Sequence, residues 1–128
     1  MKIRISGNSV RLRLSQSEVK TFLEKGAVSE QVRFGAGPES MFVYELRRSG
    51  AAQVSASLTP NRISVLVPAD LGNTWASAEQ EIGIEHTIRF ADSDGGTLRI
   101  LIEKDFKCLA DRAGEDESDN FPNPTLNC

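Results

Sequence analysis

The sequence has few of the side chains that most often build metal centres and nucleophilic active sites. Its 128 residues include two cysteines, Cys108 and Cys128, and a single histidine, His86. A zinc site of the usual types would need all three to converge, so zinc binding is not expected. Two cysteines do not make a disulfide framework, and we interpret them as free thiols of a cytoplasmic protein. His86 lies among apolar residues of a predicted strand, which favours a core or boundary histidine over a catalytic base.

Long apolar runs and nucleotide-binding motifs are also missing. No apolar stretch approaches the roughly 20 residues that span a bilayer, and the first residues lack the apolar region of a secretory signal. The segments Gly35-Ala36-Gly37-Pro38 and Gly95-Gly96 lack the spacing and following helix of a phosphate-binding loop. We therefore expect a soluble protein with no membrane partner.

The length suits one domain, and the charge is unevenly distributed along it. The net charge is −3, yet residues 1–48 carry nine Lys/Arg against five Asp/Glu. Residues 110–128 carry one against five and are poor in apolar side chains. We therefore predict one α+β domain over residues 1–109 and an acidic C-terminal tail over residues 110–128. The overall acidity argues against general nucleic-acid binding.

The opening segment predicts a β-hairpin. Apolar and polar residues alternate strictly on both sides of Gly7-Asn8, and glycine accepts the positive φ that tight hairpin turns require. With this turn, apolar residues face apolar residues, which fixes the register. The predicted pairs are Ser6/Ser9, Ile5/Val10, Arg4/Arg11, Ile3/Leu12 and Lys2/Arg13.

The other face of this hairpin stacks four cations, Lys2, Arg4, Arg11 and Arg13, in directly opposed pairs. Opposed like charges are unfavourable unless something negative relieves them. Arginine forks match phosphate and carboxylate groups, so this face is the leading candidate for an anion site. A solvated face, or one neutralised by acidic side chains of the same chain, is the competing interpretation.

Two helices are predicted. Ser15 followed by Glu18 forms a capping box, the apolar residues that follow have helical spacing, and Gly26 ends the helix, which gives a helix over residues 16–25. A second, weaker helix is predicted over residues 69–78, after Pro68.

The remaining chain predicts further strands. Strands are expected at 28–34 and 41–47, and a hairpin with a Pro60-Asn61 turn over residues 53–67. A third hairpin turns at residues 92–96, in a three-residue loop with glycine in the left-handed conformation. Its predicted pairs are Phe90/Leu98, Ile88/Ile100 and His86/Ile102 on the apolar face, and Arg89/Arg99, Thr87/Leu101 and Glu85/Glu103 on the other.

These elements predict an α+β fold, a curved antiparallel sheet or partly closed barrel of about seven strands with two short helices. No internal sequence repeat is evident, although three similar hairpins recur. The acidic tail is expected to pack back along the domain or against a neighbouring copy, with Phe121 in an apolar groove and the acidic residues near the basic hairpin.

Two hypotheses for function follow. The first is a binding or interaction domain, without cofactor or catalytic residues, whose basic sheet face engages an anionic small molecule, an acidic protein segment or its own acidic tail. The second is a phosphohydrolase-like or phosphate-ester-binding enzyme, with arginines on the substrate and Glu85 and Glu103 on a divalent metal. The candidate ligand-binding residues are Lys2, Arg4, Arg11, Arg13, Arg89 and Arg99.

Several segments resemble a family of small uncharacterised bacterial proteins, a domain of unknown function. The resemblance is carried by residues 2–19, by Ile102-Glu103-Lys104-Asp105-Phe106-Lys107-Cys108-Leu109 and by Phe121-Pro122-Asn123-Pro124. It covers the whole chain and implies no activity. The alternating charges are also similar in kind to those of the CYTH tunnel-barrel phosphohydrolases, but Lys2-Ile3-Arg4-Ile5-Ser6 stands in place of their first-strand Glu-x-Glu-x-Lys signature.

Overall fold

The computed structural model describes residues 1–78, 81, 83–92, 94–106 and 118–122. Two α-helices and eight strands lie in this part of the chain, with a short 3-10 turn at Pro38–Ser40. The elements in chain order are β1 (Lys2–Ser6), β2 (Ser9–Leu14), α1 (Gln16–Lys25), β3 (Ala27–Arg33), β4 (Met41–Ser49), β5 (Ser55–Thr59), β6 (Arg62–Pro68), α2 (Ala69–Ser77), β7 (Gly83–Arg89) and β8 (Thr97–Lys104).

The strands form two four-stranded sheets instead of one. Sheet A has the order β1-β2-β8-β7 and sheet B the order β3-β4-β6-β5. Within each sheet two antiparallel hairpins lie side by side, and the two central strands run parallel. The α+β class is confirmed, but the single seven-stranded antiparallel sheet or barrel was wrong. Hairpins are local and readable from sequence, whereas the parallel contact between hairpins far apart in sequence is not.

The two sheets come from a repeated structural unit that the sequence does not display. Residues 2–49 form hairpin, helix, hairpin, and residues 55–104 form the same series. Each unit contributes one hairpin to each sheet, so the units interlock. The registers repeat as well: Ile5 pairs with Val10 as Leu58 pairs with Ile63, and Val32 pairs with Phe42 as Ile88 pairs with Leu98.

One hydrophobic core lies between the apolar faces of the sheets and the helices. Because side chains alternate across a strand, the apolar set of each strand points to this side and the polar set away from it. The buried apolar residues are Val10, Leu12, Leu14, Val19, Phe22, Tyr44, Leu46, Val54, Val65, Val67, Trp75, Ile84, Ile100 and Ile102.

The helices are held in equivalent ways. Phe22 of α1 and Trp75 of α2 are fully buried and meet edge to face, with ring centroids 6.1 Å apart. A cation from the end of the unit's last strand covers each ring: Arg48 lies 5.9 Å from the centroid of Phe22, and Lys104 lies 5.7 Å from that of Trp75. Each cation also stabilises the C-terminal end of the helix that it covers, because the helix dipole is negative there.

Helix α1 and the first two hairpins agree closely with the predictions. The Ser15–Glu18 capping box is present, and Gly26 ends α1 at φ 81°. The first hairpin has the predicted register throughout. In the second hairpin Leu58 faces Ile63 and Ala56 faces Val65, also as predicted.

The predicted register of the third hairpin was wrong by two residues. Ile88 pairs with Leu98, and Thr87 pairs with Arg99. Phe90 and Gly96 close the loop through a hydrogen bond from Phe90 N to Gly96 O of 2.8 Å, and Gly95 is left-handed at φ 64°. A shift of two leaves every side chain on its predicted face, so the hydrophobic pattern cannot distinguish the two registers.

Residues 118–122 pack against the end of sheet A and the start of α1. Phe121 N donates to Asp105 O at 2.9 Å, and Gln16 N donates to Asp119 O at 3.0 Å. Phe121 is half-buried beside Phe106, with ring centroids 5.6 Å apart, which agrees with its predicted role as an apolar anchor. Residues 107–117 and 123–128, with Cys108, Cys128 and most of the predicted acidic tail, lie outside the described residues. Among the described helices, none is long and apolar enough to cross a membrane.

Candidate anion-binding face

The outward side of sheet A carries all of the candidate ligand-binding and metal-ligating residues. Strand alternation places them there because Ile3, Leu12 and Ile100 point into the core and their neighbours point out. We call this surface the cationic face. Its charged members are Lys2, Arg4, Arg11, Arg13, Arg89 and Arg99, all candidates from the sequence, together with Glu85 and Glu103.

The parallel pairing of β2 with β8 assembles this face. It places Ser9 beside Arg99, Arg11 beside Leu101 and Arg13 beside Glu103. The first and third hairpins therefore lie side by side in one sheet. Strands β2 and β8 are about 4.8 Å apart, so Arg99 extends the basic surface of the first hairpin directly.

Three cations of the face have carboxylate partners. Lys2 Nζ lies 2.8 Å from the buried Asp105, Arg11 Nε lies 2.7 Å from Glu103 Oε1, and Arg99 Nε lies 2.8 Å from Glu85 Oε1.

The other three cations of the face, Arg4, Arg13 and Arg89, have no ion pair with any residue that the structure describes. Within the described part of the chain, the face therefore keeps positive charge that no carboxylate neutralises.

Glu85 and Glu103, the carboxylates proposed as metal ligands, do not lie directly opposite each other on β7 and β8. Glu85 is opposite Leu101 and Glu103 is opposite Gly83, so the predicted Glu85/Glu103 pair was wrong, as was the Arg89/Arg99 pair. Each carboxylate contacts an arginine instead. Among the described residues no group of three or more His, Cys, Asp or Glu side chains could hold a metal ion. Metal binding by Glu85 and Glu103 stays a prediction.

Glu85 and Glu103 each contact an arginine through the Nε edge of its guanidinium group. The hydrogen bond from Arg99 Nε to Glu85, together with the negative charge of that carboxylate, raises the pKa of Arg99. Arg11 meets Glu103 through Nε as well. In both cases the contact leaves the two Nη groups as donors for a bound oxyanion.

Two adjacent open clefts lie on the cationic face, each with a volume of about 210 Å³. They share Arg4 and Arg11, so they adjoin. The first, which we call the Arg13 cleft, is lined by Lys2, Ile3, Arg4, Arg11 and Arg13. The second, the Arg99 cleft, is lined by Arg4, Ser6, Ser9, Arg11, Arg99 and Leu101.

The outward side of sheet B has a polar network that sequence reasoning missed. Glu45 is buried, accepts a hydrogen bond of 2.8 Å from Ser64, and lies 3.3 Å from Arg47 and 3.1 Å from Arg62. Burial favours a higher pKa for Glu45, but the Ser64 hydrogen bond and the two arginines outweigh it and lower the pKa. The serines of this surface were visible in the sequence, but the β4–β6 contact that assembles the network was not.

His86 lies away from the cationic face. It is half-buried in a cleft of about 670 Å³ beside β7, lined by residues 51–55 and 86–89. It is on the apolar side of its strand, as the sequence predicted.

The comparisons with known proteins identify the family. No curated protein and no solved structure matches the chain. A family model described as "Family of unknown function (DUF7009)" matches residues 1–125, nearly the whole chain. The family expected from the opening and closing segments is therefore confirmed as one of unknown function. The chain belongs to the DUF7009 family.

Proposed function

We propose that this protein is a binding domain whose cationic face engages an anionic ligand or partner. The observation that carries the proposal is the convergence of six basic side chains from two distant hairpins on one exposed sheet face, against three carboxylates that contact them. The second sheet, built from the same structural unit, has no such accumulation. The cytoplasmic location expected from cysteine usage is part of the proposal.

The state of the arginines supports binding over plain solvation. Arg13 is half-buried on the sheet and, with Arg4, lines a cleft without an ion-pair partner among the described residues. Charge-assisted hydrogen bonds to an oxyanion are about twice as strong as neutral ones. An anion in the clefts also relieves the repulsion between the opposed Arg4 and Arg11.

The partner can in principle be internal or external. Asp119, the one acidic tail residue in the described part, accepts a hydrogen bond of 2.5 Å from Ser17 of α1. The acidic residues from 111 to 117 lie outside the described residues. The proposal favours an external anion, and comparison of the full chain with a chain lacking residues 110–128 separates the two cases.

Heparin chromatography tests the proposal, with heparin as a defined sulfated polyanion. The wild-type protein should be retained despite its net charge of −3. The double variant Arg4→Gln/Arg13→Gln loses two ionic contacts with heparin and should therefore elute at a clearly lower salt concentration. Salt elutes the protein because it screens exposed charges that lie more than about 10 Å apart at 0.1 M. Unretained wild-type protein would overturn the proposal.

The matched control is Lys25→Gln/Arg33→Gln, which removes the same charge from exposed positions on α1 and β3. It should elute with the wild type. Equal shifts in the two double variants would show that total charge decides retention, and would also overturn the proposal.

A further inference from the structure

We propose that the ligand of the cationic face is a compact small molecule with two phosphoryl groups, one in the Arg13 cleft and one in the Arg99 cleft. This inference rests on the proposed function and adds the ligand class. Its basis is the division of one basic surface into two adjoining clefts that share Arg4 and Arg11.

The geometry sets the spacing of the two phosphoryl groups. Outward residues that follow each other on a strand are about 6.7 Å apart, and neighbouring strands are about 4.8 Å apart. The Arg13 cleft lies between the Lys2/Arg13 and Arg4/Arg11 rows, and the Arg99 cleft begins one row further along. The two phosphoryl groups are therefore separated by about one row of outward residues, or about 6.7 Å. A short linker such as a sugar ring fits this distance.

The donors in each cleft suit phosphate. Arg13 and Lys2 belong to the Arg13 cleft, and Arg99 belongs to the Arg99 cleft. The small side chains of Ser6 and Ser9 leave room beside Arg99, and their hydroxyl groups are additional hydrogen-bonding partners. Because Glu85 and Glu103 approach the Nε atoms of Arg99 and Arg11, they position these guanidinium groups while the Nη atoms serve the ligand.

The borders of the clefts favour a compact ligand over a polyanionic chain. Glu103 and Glu85 lie on the β8 and β7 side, and Asp105 lies beside Lys2 at the start of β1. A long polyanion would meet these carboxylates on leaving the clefts, so the clefts can hold only a short stretch of a chain such as heparin. The described outward residues of sheet A include no aromatic ring, so stacking of nucleic-acid bases has no platform there.

The test is calorimetric titration of the full chain with fructose 1,6-bisphosphate, fructose 6-phosphate, orthophosphate and a single-stranded octathymidylate. The bisphosphate should bind at least about tenfold more tightly than either monophosphate, because the second group adds charge-assisted hydrogen bonds. Equal affinity for one and two phosphoryl groups would overturn the inference. Tighter binding of the oligonucleotide than of the bisphosphate would also overturn it, in favour of a polymer.

Cleft-specific variants sharpen the test. Arg13→Gln and Arg99→Gln each remove an arginine found in only one cleft, so each should bring the bisphosphate down to the affinity of a monophosphate. Neither should change fructose 6-phosphate binding more than about twofold, because the other cleft still accepts it. Arg33→Gln is the control, since it removes the same charge from an exposed position on sheet B, away from the proposed ligand-binding residues.

The outcomes separate this inference from the proposed function. If heparin retention depends on Arg4 and Arg13 but the bisphosphate does not bind, the anion-binding proposal stands and the bisphosphate inference fails. If neither anion binds, both fail. Melting temperatures of all variants, measured without ligand, should match the wild type, because the replaced side chains are on the solvent side of the sheet.

Discussion

Sheets A and B share one topology and carry different chemistry on their outward faces. At equivalent places, sheet A has Arg4 and Arg11 where sheet B has Ser57 and Ser64. On sheet B, Arg47 and Arg62 converge on the buried Glu45, which makes a closed network. On sheet A three of the six basic residues, Arg4, Arg13 and Arg89, have no ion pair with any described residue. The repeated frame therefore leaves the outward positions free to differ, because these positions do not contribute to the core.

The largest expected effect concerns the buried aromatic ring that each of the two structural units has in its helix. Phe22→Ala and Trp75→Ala each remove a fully buried ring at the equivalent place of one unit. Each should lower the free energy of unfolding by about 3–5 kcal/mol, through lost apolar burial and an unfilled cavity. Urea denaturation measures both. A large loss for one ring and almost none for the other would break the structural equivalence of the units.

The next effect concerns the segment that packs on sheet A. Deletion of residues 110–128 should leave the domain folded, as the sequence analysis predicts. It should cost about 1–3 kcal/mol, because the backbone hydrogen bonds of Phe121 and Asp119 and the Phe106–Phe121 contact are lost. Denaturation measures this cost. Heparin retention should increase only slightly, through the loss of the acidic residues from the net charge, because the proposed ligand of the cationic face is external. An unfolded truncated protein would show that residues 110–128 belong to the core.

A residue exchange between the sheets tests whether arrangement decides binding. Arg4→Ser gives sheet A the side chain that sheet B has at the equivalent position, Ser57. It should weaken heparin binding by about tenfold, the equivalent of about 1.4 kcal/mol. Adding Ser57→Arg restores the net charge on the wrong sheet and should not restore retention. Full recovery in the double variant would mean that the cationic face has no special role.

The smallest expected effect concerns Glu45. Its pKa is lowered in the folded state, so its contribution to stability is present above about 4.5, the ordinary value, and is lost as pH falls through the lower folded pKa. Each unit of lowering is worth about 1.4 kcal/mol. The unfolding free energies of wild type and Glu45→Gln, measured from pH 7 to pH 3, should therefore converge as the pH falls. A constant difference across this range would contradict the proposed network.

Much of the local structure was predictable because neighbouring residues determine it. Alternation around Gly7-Asn8 gives the first hairpin and its register, and Ser15, Glu18 and Gly26 mark both ends of α1. The outward position of all six candidate basic residues was predictable, because alternation puts them on the polar side of their strands. The register of the third hairpin was predicted wrongly, because its loop accommodates either of two pairings that have the same hydrophobic pattern.

By itself, the sequence determined the turns, the helix ends and the face on which each side chain lies, because these depend on contacts within a few residues. The tertiary structure alone decided how hairpins from distant parts of the chain combine. The parallel contacts of β2 with β8 and of β4 with β6 divide the strands into two sheets, bring Arg99 beside the first hairpin and give Glu45 its arginines. Such contacts depend on closing long loops around a shared core, and no local pattern records which strands will meet.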